Sequence, residues 1–225
     1  MRDIINIAHR GFTRTFPDNT LEAFKAAISL GVDAIECDVQ ETIDHRFVVI
    51  HDSVLSSKDI ARLPLAQVEK EKIAGKFKIP TLEETLDLCR KRVKLVVELK
   101  KVRSVDRFCA VLTLMVQPHD TVVASFSREL LSKLSSQAPE IPRAVIIDHP
   151  VGNPLELVKP AKSNIIALRF TFATAELVNK VHAANLSIFV WGSAGPDEVR
   201  SALTLDIDGI ASDYPDLVMR ELHKR

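Results

Sequence analysis

The sequence predicts an α/β chain folded as a single (β/α)8 barrel, the TIM-barrel architecture. Short apolar runs alternate with amphipathic segments along its 225 residues, and a strand followed by a helix is the repeating unit of that barrel. The chain is also close to the usual barrel length of about 250 residues. A doubly wound open sheet is the alternative, but no glycine-rich phosphate-binding fingerprint follows the first apolar run. We therefore expect one domain over residues 1–225.

The apolar runs and the helical patterns between them define the expected elements. The strand candidates are Ile4–Ala8, Ala34–Val39, Leu95–Leu99, Thr121–Ser125, Arg143–Ile147, Ile165–Leu168, Ser187–Trp191 and Gly209–Ala211. The helix candidates are Leu21–Leu30, Leu82–Arg90, Val105–Val116, Glu129–Ser136, Ala173–Ala184, Asp197–Leu203 and Pro215–His223. Asn19 and Thr20 offer capping oxygens to the first helix. Thr81, with Glu84 three residues later, predicts a capping box on the second.

One segment breaks this alternation between the second and third strands. Phe47–His51 has the composition of a further strand, but too few residues separate it from Val39 for a parallel crossover, which needs about a dozen. We therefore expect Gln40–Ile50 to form a hairpin that rises above the barrel mouth and returns His51 to the rim. The mixed, charged residues from about 53 to 79 are expected to form a small helical insertion beside the mouth.

The composition argues against several classes of protein. Lys plus Arg and Asp plus Glu both number 30, so the chain has no electrostatic footprint for nucleic acid or an anionic membrane. Cys37, Cys89 and Cys109 suit neither a disulfide framework nor a zinc site, and predict buried thiols in a reducing compartment. The amino terminus lacks a signal-peptide pattern and no apolar run approaches a membrane span. A cytoplasmic protein without a membrane anchor is expected.

Charged side chains cluster where the first three barrel strands are expected to end. They are His9, Arg10, Glu36, Asp38, His51, Glu98 and Lys100. Because side chains alternate along a strand, the two acids of the second strand share one face, and so do Glu98 and Lys100. Acids on the inner face of a buried strand are costly unless they are paired or bound to a metal. Barrel enzymes build their sites at the carboxyl ends of the strands, so this rim is the candidate site.

These side chains suit a site for a cation and a phosphate. Carboxylate oxygens without cysteine suit Mg²⁺ or Ca²⁺ better than zinc. Arg10 and Lys100 can bind phosphate oxygens, and two histidines can serve as general acid and base near neutral pH. Two plainer interpretations stay open: an ion pair on the rim for Glu98 with Lys100, and packing at the mouth for Phe126 and Trp191.

Short motifs follow one another along nearly the whole chain. They are His9-Arg10-Gly11, Pro17-Asp18-Asn19-Thr20, Glu36-x-Asp38-Val39, Val49-x-His51-Asp52, Pro80–Glu84, Glu98-x-Lys100, Ser125-Phe126, Val190-Trp191 and Asp208–Pro215. Each is weak alone. Together and in this order they resemble the glycerophosphodiester phosphodiesterases, a family of the phospholipase-C-like phosphodiesterase superfamily of TIM barrels.

The resemblance implies a metal-dependent phosphoric diester hydrolase. It implies that Glu36, Asp38 and Glu98 hold one divalent cation, Mg²⁺ or Ca²⁺, that His9 and His51 are the catalytic pair, and that Arg10, Lys100, Phe126 and Trp191 contact the substrate. The expected reaction splits a glycerophosphodiester into glycerol 3-phosphate and an alcohol. The glycerol 2-hydroxyl would attack phosphorus and form a cyclic phosphate that water then opens. Direct attack by water is the alternative, and which histidine acts first stays open.

The motifs depart from the family pattern at a few positions. Asp18 stands where glutamate is commoner, and His45 stands where a glycine usually follows the aspartate of the hairpin turn. The arginine-threonine pair that often follows the His51-Asp52 motif is missing. Gly192-Ser193 follows Trp191 in place of the usual Thr-Val-Asn. Because that position lies at the mouth, the contacts to the alcohol or the glycerol stay open.

Two other functions compete with this hypothesis. A lysophospholipase D acting on lysolipids would need an apolar or membrane-binding mouth, and the charged insertion argues against it. A non-catalytic phosphodiester-binding barrel would be expected to lack a histidine or a metal ligand, and none is lost. We therefore expect a small glycerophosphodiester as the binding partner, no nucleic acid, and a monomer or homodimer.

Overall fold

A computed structural model describes residues 3–115, 117–150, 153–193 and 195–224, and within them the predicted (β/α)8 barrel is confirmed. The eight parallel barrel strands are Ile5–Ala8, Ala34–Glu41, Lys94–Lys101, Thr121–Ser125, Arg143–Ile147, Ile165–Arg169, Ser187–Ser193 and Gly209–Ser212. Each pairs with the next, and the first pairs with both the eighth and the second, which closes the barrel. We number these strands one to eight below.

A helix follows every barrel strand. These helices are Leu21–Leu30, Leu82–Cys89, Val105–Met115, Arg128–Gln137, Leu155–Ala161, Ala175–Ala183, Pro196–Leu203 and Pro215–Leu222. The helix Leu155–Ala161 was not predicted because it is short and contains Pro160, which ordinarily argues against a helix interior. The others lie within two residues of their predicted bounds, and the predicted end at Val116 falls outside the described residues. The Thr81 capping box is confirmed.

The predicted hairpin is also confirmed. The strand Phe47–Val49 pairs antiparallel with strand two, with Gln40 opposite Val48. At the turn, His45 has a φ of 58°, a left-handed conformation in which glycine would be unstrained. The amide of Val49 then donates a 2.8 Å hydrogen bond to the carbonyl of Pro80, so the chain leaves the barrel and returns at one point.

The expectation of a helical insertion over residues 53–79 was wrong. This segment contains two small antiparallel ribbons, Val54–Leu55 with Lys58–Asp59 and Lys72–Ile73 with Phe77–Lys78, and only one short α-helix, Leu65–Val68. Its many charged residues lie at the surface and impose no helical period. The segment packs on a small core that it shares with Val48 and Ile50 of the hairpin and completes with Ile60, Leu63, Val68 and Ile79.

Because side chains alternate along the strands, the barrel has two separate buried regions, one outside the sheet and one inside it. Odd-numbered residues of strand two, such as Cys37 and Val39, face the helices and join the large outer core. The inner layer of the barrel contains Ile7, Ala34, Val96, Ala124, Ala144, Ile165 and Phe189. The three cysteines are buried and free, and burial raises the pKa of the Cys37 thiol. None of the helices in the described part of the chain is long and apolar enough to span a bilayer.

Candidate active site

Three carboxylates meet on the inner face of strands two and three. Strand register places Asp38 directly opposite Glu98, and Glu36 lies two residues before Asp38 on the same face. One oxygen from each carboxylate lies within 4.8 Å of the others. Asp38 is fully buried and Glu36 is 6% exposed. The predicted acidic cluster therefore forms, with three formal negative charges in a space from which water is largely excluded.

Each carboxylate responds differently to this crowding. Burial and the neighbouring charges of Asp38 and Glu98 raise the pKa of Glu36 well above its usual value. Burial and Asp38 also raise the pKa of Glu98. Burial opposes ionisation of Asp38 too, but the charges of Lys100 and Arg10 outweigh it, so the pKa of Asp38 is lowered. Asp38 is thus the most firmly ionised member of the cluster, and Glu36 is the least compensated.

The cluster has the properties of a cation site. Among the described residues, Oε1 of Glu36 is buried without any hydrogen-bond partner. Leaving a buried carboxylate oxygen unpaired is costly, and a divalent ion would provide the missing partner and charge. The donors are all carboxylate oxygens, which suit Mg²⁺ or Ca²⁺. The residues present therefore fit a divalent cation and could hold one.

Two cations border the acids. Arg10 places Nε 3.0 Å from Oδ2 of Asp38, and its backbone amide donates to Oε2 of Glu36 at 3.0 Å. Lys100 places Nζ 2.9 Å from Oε1 of Glu98 and 3.2 Å from Oδ1 of Asp38. The ion pair of Glu98 with Lys100 thus exists, but Lys100 also bridges to the second strand. Both cations line the barrel-mouth cavity.

The two histidines border the same cavity, and each contacts a carboxylate. Nδ1 of His9 lies 2.8 Å from Oδ1 of Asp213, while its Nε2 lies 3.9 Å from Oε2 of Glu36. Nδ1 of His51 lies 3.0 Å from Oδ1 of Asp52. Burial opposes ionisation of Asp213, but the hydrogen bond and charge of His9 outweigh it and lower the pKa of Asp213. A carboxylate on Nδ1 orients each ring and leaves its Nε2 for other partners.

Asn19 has a role that the sequence did not indicate. Thr20, not Asn19, caps the first helix, by accepting a hydrogen bond from the amide of Ala23. Asn19 instead donates from Nδ2 to Oδ2 of Asp38 at 2.8 Å and accepts from the amide of Asp38 at 3.1 Å. The side chain is buried and its backbone φ is 56°. Asn19 therefore holds Asp38 in place from the loop after strand one.

The sequence analysis also missed Gln40, although the alternation of side chains along strand two places it on the same face as Asp38. It follows Asp38 by two residues and is 1% exposed. Its Nε2 lies 3.1, 3.0 and 2.8 Å from the carbonyl oxygens of Ile50, His51 and Asp52. An amide has only two N–H groups, so three acceptors share two donors. Gln40 therefore fixes the backbone that carries His51.

The aromatic pair lies at the mouth. Phe126 and Trp191 make an edge-to-face contact with ring centroids 6.1 Å apart, and the indole Nε1 donates to the carbonyl of Ala167 at 3.1 Å. Phe126 is 44% exposed. Gly192, next in the chain, has a φ of 76° beside an irregularity in the pairing of strand seven. The aromatic rings line the cavity, and contact with substrate stays a prediction.

Fold and site together define the class of protein. A parallel barrel that carries an acidic cluster, two cations and two carboxylate-bound histidines at the carboxyl ends of its strands has the site architecture of a barrel enzyme. A family model described as the glycerophosphoryl diester phosphodiesterase family matches residues 9–217. The chain belongs to this family, as the motifs predicted.

Relatives and solved structures agree with that assignment. The chain is 30% identical, over 95% of its length and 96% of the relative, to a glycerophosphodiester phosphodiesterase of Bacillus altitudinis. It is 26% identical, with a TM-score of 0.85, to a solved glycerophosphodiester phosphodiesterase from Agrobacterium tumefaciens, and the match covers 98% of this chain and 100% of that one. An Oleispira antarctica phosphodiesterase, solved with the product sn-glycerol-3-phosphate, shares the fold at 21% identity, a TM-score of 0.90 and coverage of 99% and 97%.

Proposed function

We propose that this chain hydrolyses glycerophosphodiesters to glycerol 3-phosphate and an alcohol, with one divalent cation, Mg²⁺ or Ca²⁺, held by Glu36, Asp38 and Glu98. The observation that carries the proposal is the position of the acidic cluster, which borders one cavity together with His9 and His51. Membership of the family and similarity to the glycerophosphodiester phosphodiesterase of Bacillus altitudinis support the same reaction. We further propose that the protein acts in the cytoplasm on small-molecule diesters.

The charged rim would bind the phosphate. Glu36, Asp38 and Glu98 would hold a divalent cation, which would supply Lewis-acid activation and charge neutralisation for the phosphodiester. Arg10 and Lys100 lie within 3.5 Å of the acids and on the cavity wall, so their remaining N–H groups can bind the other phosphate oxygens. Their ion pairs with Asp38 hold both side chains at the cavity wall before substrate arrives.

The two histidines would move the protons. One imidazole Nε2 takes the proton of the glycerol 2-hydroxyl as its oxygen bonds to phosphorus, and the other gives a proton to the departing alcohol oxygen as its bond to phosphorus breaks. The roles then reverse as water opens the cyclic phosphate. Asp213 and Asp52 on the Nδ1 atoms stabilise the protonated rings. The lowered pKa of Asp213 keeps this support ionised at neutral pH.

The reaction can be tested directly by release of glycerol 3-phosphate. Purified protein would be given glycerophosphocholine or glycerophosphoethanolamine with Mg²⁺, with Ca²⁺ or with EDTA. We expect release with at least one ion and loss of release on chelation, because the acidic cluster is then left without its cation. Asp38→Asn should be inactive with either ion. Folded protein that releases no product with either ion would refute the proposal, and undiminished release in EDTA would refute metal dependence.

Gln40→Met is expected to lower kcat about tenfold with a smaller change in KM. The substitution keeps the length of the side chain but leaves three carbonyls without their shared donor, which also costs about 1–3 kcal/mol of stability. A suitable control is Ser163→Ala, which removes a buried 2.7 Å hydrogen bond to the carbonyl of Ile165 at the amino end of strand six, the end of the barrel opposite the mouth. Steady-state kinetics below both melting temperatures should show the kcat loss in Gln40→Met only. Equal kcat in the two variants would mean that Gln40 is merely structural.

A further inference from the structure

On one side of the barrel, the inner layer directly beneath the rim consists of unusually small side chains. Four strands contribute alanine to the wall of the mouth cavity: Ala124, Ala144, Ala167 and Ala211. Barrel interiors are ordinarily filled at such layers by bulky branched side chains. Here the small side chains leave a recess that continues downward from the rim, and the whole cavity has a volume of about 190 Å³. We call this alanine-lined part of the cavity the recess.

The recess has a closed bottom. Phe189, on strand seven, lies beneath it and is 8% exposed. Its ring occupies space that Gly209 leaves free, since a Cβ built on Gly209 would stand 2.9 Å from Cδ1 of Phe189. The Phe189 ring therefore packs on position 209, where any side chain larger than that of glycine would clash with it. The recess is therefore a blind pocket beside the reacting groups and not a channel through the barrel.

The two sides of the cavity differ in chemistry. Its charged and imidazole groups all come from strands one to three and the hairpin, whereas the described residues that line it from strands four to eight are all apolar. A glycerol moiety placed in the recess would leave its hydroxyls without partners, which is costly. A hydrocarbon group there would lose only its contact with water, which is favourable. The glycerol arm therefore belongs on the charged side.

Resting on the proposed function, we infer that the recess binds the alcohol arm of the diester and favours an apolar alcohol, either a short alkyl chain or a single aromatic ring. The size limits this choice, because the recess is only part of a cavity of about 190 Å³, and an engineered apolar cavity of about 150 Å³ holds benzene. A single ring is therefore the largest group that the recess can take. Phe126 and Trp191 stand at its entrance with Ile146. A long acyl chain exceeds the closed recess.

A series of esters of sn-glycerol 3-phosphate tests this inference, because every member releases the same product. The alcohols are methanol, propanol, butanol, benzyl alcohol, ethanolamine and glycerol. We expect kcat/KM to rise about fourfold for each added methylene from methanol to butanol. The benzyl ester should be at least as good as the butyl ester, and the glycerol ester should be among the poorest.

Two variants that fill the recess from different strands make the test specific. Ala167→Leu and Ala211→Val replace alanines that are partly exposed in the cavity, and Ala183→Leu at the exposed end of a helix is the control. The ratio of kcat/KM for the butyl and methyl esters does not depend on how much protein is folded. We expect that ratio to fall about tenfold in both filled variants and to be unchanged in the control.

The outcomes distinguish a failure of the recess assignment from a failure of the proposed function. Release of glycerol 3-phosphate without dependence on the alcohol chain, or a dependence that survives both filled variants, would overturn the recess assignment alone. A lysophospholipid hydrolysed faster than the butyl ester would overturn it as well, by placing the hydrocarbon on the glycerol arm. No release from any ester, including that of ethanolamine, would overturn the proposed function itself.

Discussion

Replacing His9 by alanine is expected to lower kcat about a thousandfold, and His51→Ala should have an effect of similar size. General acid-base groups contribute about 10²–10⁴ to rate, and each ring borders the acidic cluster with its Nδ1 held by a carboxylate. Asp213→Asn should show a smaller loss of about tenfold to a hundredfold, because the ring stays but loses its orienting charge. The measurement is release of glycerol 3-phosphate at saturating substrate and metal.

His149 provides a matched control for these variants. Its Nδ1 lies 2.8 Å from Oδ1 of the preceding Asp148, which mirrors the contact of His51 with the following Asp52. His149 is exposed and does not line the mouth cavity. His149→Ala should therefore keep kcat within about twofold. A loss below tenfold in His9→Ala, or an equal loss in the control, would remove the histidine pair from the mechanism.

Glu36→Gln should abolish saturable binding of the divalent cation and, in metal-free protein, increase the free energy of unfolding. Burial and two neighbouring carboxylates raise the folded-state pKa of Glu36 well above 4.5, so the native state resists its ionisation. Below pH 4.5, the pKa of the unfolded state, the folded and unfolded states both hold the Glu36 proton, so the variant is no more stable than the wild type. Above it the wild type loses stability relative to the variant by about 1.4 kcal/mol per pH unit, until the folded-state pKa is passed.

Glu41 offers a control for which the expected change in the free energy of unfolding has the opposite sign. Burial opposes its ionisation, but hydrogen bonds from His45 and from the amides of Ser104 and Arg103 outweigh it and lower its pKa. Glu41→Gln should therefore destabilise the protein at neutral pH, with the loss shrinking as pH falls through the folded-state pKa. Chemical denaturation in EDTA between pH 4.5 and 8 distinguishes the two, because the gain of Glu36→Gln grows across this range whereas the loss of Glu41→Gln stays constant and declines only below it. A Glu36→Gln variant that is less stable than wild type at pH 8 would contradict our account of the cluster.

The sequence predicted the site wherever strand alternation decides it. Two-residue spacing correctly placed Glu36 with Asp38, and Glu98 with Lys100, on the inner face. The same rule, carried one step further, would have included Gln40. The cluster was predictable because parallel neighbours bring the ends of consecutive strands together.

Other parts of the site depend on contacts that no local pattern records. Asp213 meets His9 only because strand eight closes against strand one, 204 residues away along the chain. Asn19 has the residue type and position of a helix cap, and its turn toward Asp38 is decided by tertiary packing. The helix Leu155–Ala161 and the ribbons after the hairpin were missed because proline and dense surface charge obscure a short element's period.

The hydrogen bond between Val49 and Pro80 has a consequence for how this barrel can diverge. It closes the excursion from residue 50 to 79 at a single neck, and the excursion shares a small core with Val48 of the hairpin. His51 is the second residue of the excursion, and Gln40 holds its backbone and that of Asp52. Doubling the length of a flexible loop costs only about 0.6 kcal/mol in closure entropy, so the surface turns after Asp52 can lengthen or shorten at little cost. Insertions there can reshape access to the mouth across evolution while the reacting groups keep their positions.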